Sequence, residues 1–178
     1  MRRSRVKYVA AVATAGVLGL AGAAAAHDRG SSSTSERLTG YEEVPALSTP
    51  GSGSFKAALD SSGGSIRYRL SFDNLESDAT QVHIHFENAT NNGPIVVFLC
   101  SNLPTAPAGT QACPAGGGTI RGTITAAEVG AGADAQGLAA GEFGELVGAI
   151  DAGSTYVNVH TTGRPAGEIR AQLDDERH

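Results

Sequence analysis

The chain has 178 residues, 40% of them hydrophobic, with 24 Gly, no Trp and a formal charge of −5. That is enough length and apolar content for one domain with a core, and the glycines lack the three-residue period of collagen. The negative balance argues against partners bound through phosphates, whether nucleic acid or an anionic membrane surface.

In chain order, Met1 to Lys7 is a short cationic segment and Tyr8 to Gly22 is an uncharged stretch rich in Ala, Val and Leu. Ala23 to Ala26 supplies the small residues that a signal peptidase needs. Residues 1–26 are therefore expected to be a cleaved export signal, leaving a bacterial protein outside the cell with no membrane insertion after cleavage. The apolar stretch is short for a span of about 20 residues. Cleavage removes Arg2, Arg3, Arg5 and Lys7 from the 13 basic residues, so 9 remain against 18 acidic ones, a net −9. Residues 27–36 (HDRGSSSTSE) are polar and without periodicity, and are expected to be a disordered linker. The domain is expected over 37–174, with a tail at 175–178.

From Arg37 onward, short runs with period-two alternation are split by Gly, Pro, Asn and Asp, the punctuation of strands and turns. Strands are expected at Ser54–Leu59, Ser65–Phe72, Gln81–Phe86, Ile95–Leu99, Thr119–Ile124, Thr155–His160 and Glu168–Leu173. In Ser65–Phe72, the residues Ile66, Tyr68, Leu70 and Phe72 point one way and Arg67, Arg69 and Ser71 the other. Gln81–Phe86 sets Val82, Ile84 and Phe86 against His83 and His85. Ile95–Leu99 is uninterruptedly apolar and reads as a central strand buried on both sides. Thr155–His160 turns Val157 and Val159 inward and Tyr156, Asn158 and His160 outward. In Glu168–Leu173, Ile169, Ala171 and Leu173 face in, and Glu168, Arg170 and Gln172 face out.

Helix is scarce. Thr125-Ala126-Ala127-Glu128 fits a capping box. Glu142–Ile150 puts Phe143, Leu146, Val147 and Ile150 on one helical face, and Gly153 ends it. Seven short strands and one short helix imply an all-β fold, an antiparallel Greek-key β-sandwich or barrel. Its core is expected to hold Ile66, Leu70, Val82, Ile84, Val96, Phe98, Val157, Val159 and Ile169, with Phe143, Leu146 and Ile150 plugging one end.

Cys100 and Cys113 are the only cysteines. An even count in an exported chain favours a disulfide. Closing a loop of this length contributes about 3 kcal/mol in the chain-entropy model.

Several blocks carry a resemblance: Leu38-Thr39-Gly40-Tyr41-Glu42-Glu43-Val44-Pro45, the Ile66–Leu70 strand, His83-Ile84-His85, and Gly93-Pro94 with the apolar run that follows. The last block is Gly153-Ser154-Thr155-Tyr156-Val157-Asn158-Val159-His160-Thr161 with Pro165-Ala166-Gly167-Glu168-Ile169-Arg170. Together they resemble a CHRD domain, the module named from chordin. The resemblance covers about Leu38 to Leu173. It implies an immunoglobulin-like or superoxide-dismutase-like β-barrel and attaches no general catalytic activity.

The histidines form the one constellation with chemistry in it. His83 and His85 share a strand face, and His160 lies on the outward face of its own strand. If those strands belong to one sheet, three imidazoles converge on its outer surface, and three such ligands suit zinc or copper. Asn158, Glu168 and Arg170 would support them from behind. The arrangement is similar to the His-x-His strand of Cu,Zn superoxide dismutase, although five His are too few for its dinuclear centre. The competing reading gives these histidines local hydrogen bonds, His160 to a turn carbonyl and the other two to backbone below the Asn88–Gly93 turn. No nucleophile elbow, phosphate loop or acid–base pair is evident. Two functions follow: a non-catalytic extracellular module binding an unknown protein or polymer, with no required cofactor; or a mononuclear copper or zinc protein using His83, His85 and His160.

Overall fold

A computed structural model describes residues 33–60 and 62–174. The expected signal at 1–26, the first part of the expected linker and the tail at 175–178 lie outside the described residues. Eight strands form: β1 (Ser33–Thr39), β2 (Ser52–Leu59), β3 (Ile66–Asp73), β4 (Ala79–Phe86), β5 (Ile95–Ser101), β6 (Gly118–Ile124), β7 (Thr155–Thr161) and β8 (Ile169–Leu173). One helix, α1 (Phe143–Asp151), precedes β7. The capping box at Thr125 and Glu128 is present, but it starts only a 3-10 turn, Ala126–Glu128.

All strand pairs are antiparallel, and the sheet runs β5-β4-β7-β8-β1-β2-β3-β6. Chain crossovers place β3 beside β6 and β4 beside β7. The sheet curls until its two edges, β5 and β6, nearly meet. Side chains stitch that seam. Gln111 Nε2 donates to the Leu99 carbonyl at 3.0 Å and to the Arg121 carbonyl at 3.2 Å, and Tyr68 Oη donates to the Leu99 carbonyl at 3.1 Å. The expected all-β antiparallel barrel with one short helix is therefore what the chain forms.

The core follows the alternation. Leu70, Val82, Ile84, Val157, Val159, Ile169 and Leu173 are buried inside the barrel, with Leu38, Phe55 and Leu99. Leu146 and Ile150 of α1 are buried with them, while Phe143 and Val147 pack partly exposed against the core. The Cys100–Cys113 disulfide forms, with Cα atoms 5.1 Å apart, and ties the end of β5 to the loop that returns to β6.

Three expectations need correction. Residues 33–36, read as linker, are the first half of β1, which pairs with β2 from Ser33↔Ala58 to Thr39↔Ser52. Within Ile95–Leu99, Val96, Val97 and Leu99 are buried but Ile95 and Phe98 are only half-buried, and β5 is an edge strand of the sheet, not a central one. Its edge is covered rather than paired: the Gly130 N–H donates to the Val96 carbonyl at 2.8 Å, one of the ways proteins blunt an exposed edge. Phe98, expected in the core, lies on the other face of β5, because two register shifts between β4 and β5 place it opposite His83.

Candidate metal centre

The strand pair β4–β7 builds the site. Its register sets His83 opposite Asn158, His85 opposite Tyr156 and Gln81 opposite His160. Residues directly opposite in an antiparallel pair share a face. The three histidines therefore stand on one face of the sheet, and Val82, Ile84, Val157 and Val159 fill the barrel on the other. Phe98 of β5 and Arg170 of β8 extend the same row on either side, opposite His83 and Asn158.

That face is not the open surface the alternation suggested. All seven residues of β7 are buried, and His83 is 0% exposed, His85 7% and His160 6%. Three segments cover it, one remote in sequence and two that directly follow the histidine strands. The stretch from Gly40 to Leu47 brings Glu43, whose two carboxylate oxygens each accept from Asn158 Nδ2 at 3.0 Å. The Asn88–Gly93 turn is clamped by Arg170, which donates to the Asn88 and Asn91 carbonyls, each at 3.1 Å. The 163–167 turn approaches so closely that a Cβ on Gly167 would lie 2.5 Å from Asn158 Oδ1.

Two of those segments fix imidazole rings. His85 Nδ1 bonds the Gly93 carbonyl at 2.9 Å, and His160 Nδ1 bonds the Pro165 carbonyl at 3.1 Å. A carbonyl oxygen only accepts, so each Nδ1 carries the proton and each Nε2 keeps its lone pair. Both Nε2 atoms are buried with no hydrogen-bond partner, as are both nitrogens of His83. One nitrogen from each ring lies within 4.8 Å of the others, and the ring centroids are 5.0 to 5.7 Å apart. The local hydrogen bonds of the competing reading thus exist for His85 and His160, on Nδ1, and leave each Nε2 unpartnered. His83 makes none.

Burial holds the cluster neutral. It pushes His83 down to about 2, aided by the neighbouring His160 and His85. Burial also pushes His85 down to about 4, against the Gly93 bond, and it lowers His160. Neutral imidazoles with free lone pairs are the form that binds metal. Aromatic rings wall the pocket: Phe98 meets His83 edge-on at 4.4 Å, and Tyr156 lies parallel to His85 at 4.7 Å. The Arg170 guanidinium sits 3.4 Å from the Tyr156 ring centroid, a cation–π contact.

The supporting residues divide. Asn158 stands in the row between His83 and Arg170 and holds Glu43. Arg170 acts at one remove, through Tyr156 and the Asn88–Gly93 turn. Glu168 is a correction: it faces away from the histidines and accepts from Thr49 Oγ1, the Glu76 N–H and Thr161 Oγ1. The reason is that β8 begins at Ile169, and Gly167 at φ 132° breaks the pleat that would have carried the alternation back to Glu168. Glu43 was not foreseen. Burial raises its carboxyl to about 7, although the Asn158 bond and Arg170 pull it the other way. The carbonyls of Gly93 and Pro165 are backbone acceptors of the kind the competing reading expected, for His85 and His160 but not for His83.

A nearly closed antiparallel barrel with a buried three-histidine pocket on the outer face of one strand pair is thus the class of structure present. The family model of the CHRD domain matches residues 34–173, and the chain belongs to that family. No curated protein and no solved structure matches it.

Proposed function

We propose that this is an exported CHRD-domain protein that binds one copper or zinc ion through His83, His85 and His160. The observation that supports it is the set of buried, unpartnered imidazole nitrogens on all three rings. Leaving such atoms unsatisfied costs about 1–3 kcal/mol each, and an ion shared among them removes that cost for one nitrogen of each ring. The Nδ1 bonds of His85 and His160 are the outer contacts that metal-ligating histidines ordinarily make. Export is supported by the apolar N-terminal stretch and by the disulfide, which persists in oxidising compartments. Among the described residues no helix is long and apolar enough to cross a membrane.

The proposal is one of binding, not turnover. It is compatible with a non-catalytic module that docks on an extracellular protein or polymer, with the metal as part of its structure. Elemental analysis of protein purified without a metal-affinity tag tests it. About one copper or zinc per chain, with a melting temperature that falls on chelation, is expected. Substoichiometric metal with unchanged melting after chelation would overturn it.

A further inference from the structure

Resting on that reading of the three histidines, we propose that the pocket selects monovalent copper over divalent zinc. The donor set is neutral. Among the described residues the ligand group holds three imidazoles and no carboxylate, and both cysteines are consumed by the disulfide. The pocket is enclosed, with His83 fully buried and Phe98 and Tyr156 as walls. The nearby ionisable groups, Glu43 on Asn158 and Arg170 over Tyr156, are engaged with partners of their own. An ion bound here therefore keeps its whole charge in a poorly solvated place.

That decides between the two metals. The Born cost of burying an ion grows with the square of its charge, so a dication is penalised about fourfold more than a monocation. Zinc offsets this by taking a fourth ligand, commonly water or an anion. The unpartnered atoms at this site are imidazole nitrogens and Asn158 Oδ1. Asn158 Oδ1 only accepts, and the second His83 nitrogen carries an N–H that diverges from an ion bound at the first, so none of these atoms donates to an anionic fourth ligand on the ion. Monovalent copper is a closed-shell ion satisfied by three donors. Thiolates and thioethers are its strongest ligands, but imidazole is the strongest neutral donor this pocket offers.

Anaerobic competition on wild-type protein tests the inference. Cu(I) is supplied against bicinchoninate, and Zn(II) against a chromophoric chelator. One Cu(I) per chain is expected, with equimolar Cu(I) displacing pre-bound Zn(II) and no copper EPR signal appearing in air while the protein stays folded. His160→Gln should weaken Cu(I) binding by at least about 100-fold. Zn(II) that survives equimolar Cu(I), or bound copper that develops an axial Cu(II) signal, would overturn the monovalent assignment and leave the metal site standing. Failure of both ions to bind would overturn both.

Discussion

His85 and Tyr156 lie ring on ring, 4.7 Å between centroids and 2° from parallel, because the β4–β7 register places them opposite each other. They also grip the same residue. The Gly93 carbonyl takes His85 Nδ1 at 2.9 Å, and the Gly93 N–H donates to Tyr156 Oη at 3.0 Å. The orientation of the imidazole is thus set by a tyrosine that is not itself among the three ligands.

Tyr156→Phe keeps the stacked ring and loses the Gly93 bond. Leaving this part-buried N–H without a protein partner costs at most about 1–3 kcal/mol. Outer contacts of this kind typically change metal affinity 10- to 100-fold. The expected result is a modest loss of stability in chemical denaturation and a larger loss of metal affinity than stability alone explains. Unchanged affinity would mean that Gly93 holds His85 without help from the phenol.

Gly167→Ala puts a methyl group 2.5 Å from Asn158 Oδ1 and 2.8 Å from Glu43 Oε1, at φ 132°. Strain of that type costs of order 1–3 kcal/mol, and relief requires moving the turn that carries the Pro165 carbonyl. Stability should fall by at least about 1 kcal/mol, with the His160 ring signals shifted in NMR spectra. A variant as stable as wild type would show that the turn yields freely.

The metal-free protein should lose stability as acid is added. Burial depresses the folded values of His83, to about 2, and His85, to about 4, below their ordinary 6.5. The unfolded chain takes up protons below pH 6.5 that the folded chain refuses. Stability from the neutral cluster is therefore intact above pH 6.5 and lost as pH falls toward 4 for His85 and toward 2 for His83, by up to about 1.4 kcal/mol per pH unit for each histidine. The ring resonances of His83 and His85 should not titrate near 6.5 in folded protein. An ordinary titration of His83 would show the pocket to be wet.

Glu43 works in the opposite direction. Its folded value, about 7, lies above the ordinary 4.5, so the folded state holds a proton the unfolded chain has released. The contribution is present below pH 4.5 and lost as pH rises to 7. Glu43→Gln keeps an oxygen for Asn158 Nδ2 and removes the buried charge. The variant should melt higher than wild type at pH 8 and differ little at pH 5. A lower melting temperature at pH 8 would show that the carboxylate is stabilised by Arg170 more than burial penalises it.

The pleat was legible in the sequence wherever bulky apolar residues mark it. Val82 and Ile84 on β4, and Val157 and Val159 on β7, give the face of each histidine without any structure. The first half of β1 was not legible, because the positions on its inward side there are Thr34 and Glu36, neither of them apolar, and Ser-rich composition reads as linker. The burial of the histidines was hidden for another reason. Part of the cover comes from residues remote in the chain, such as Glu43, which meets Asn158 across 115 positions, and part from irregular turns just after the histidine strands. Period-two alternation specifies which side a residue faces and says nothing of what lies over that side. Glu168 failed through the same rule applied one residue too far, beyond the start of β8.

X-ray absorption at the edge of the metal bound to tag-free protein tests the central claim most directly. The account predicts a first shell of three imidazole nitrogens near 2.0 to 2.1 Å, with the outer-shell scattering of three rings, reduced to two rings in His160→Gln. A first shell dominated by oxygen, or a spectrum unchanged by His160→Gln, would contradict the assignment of His83, His85 and His160 as one metal site.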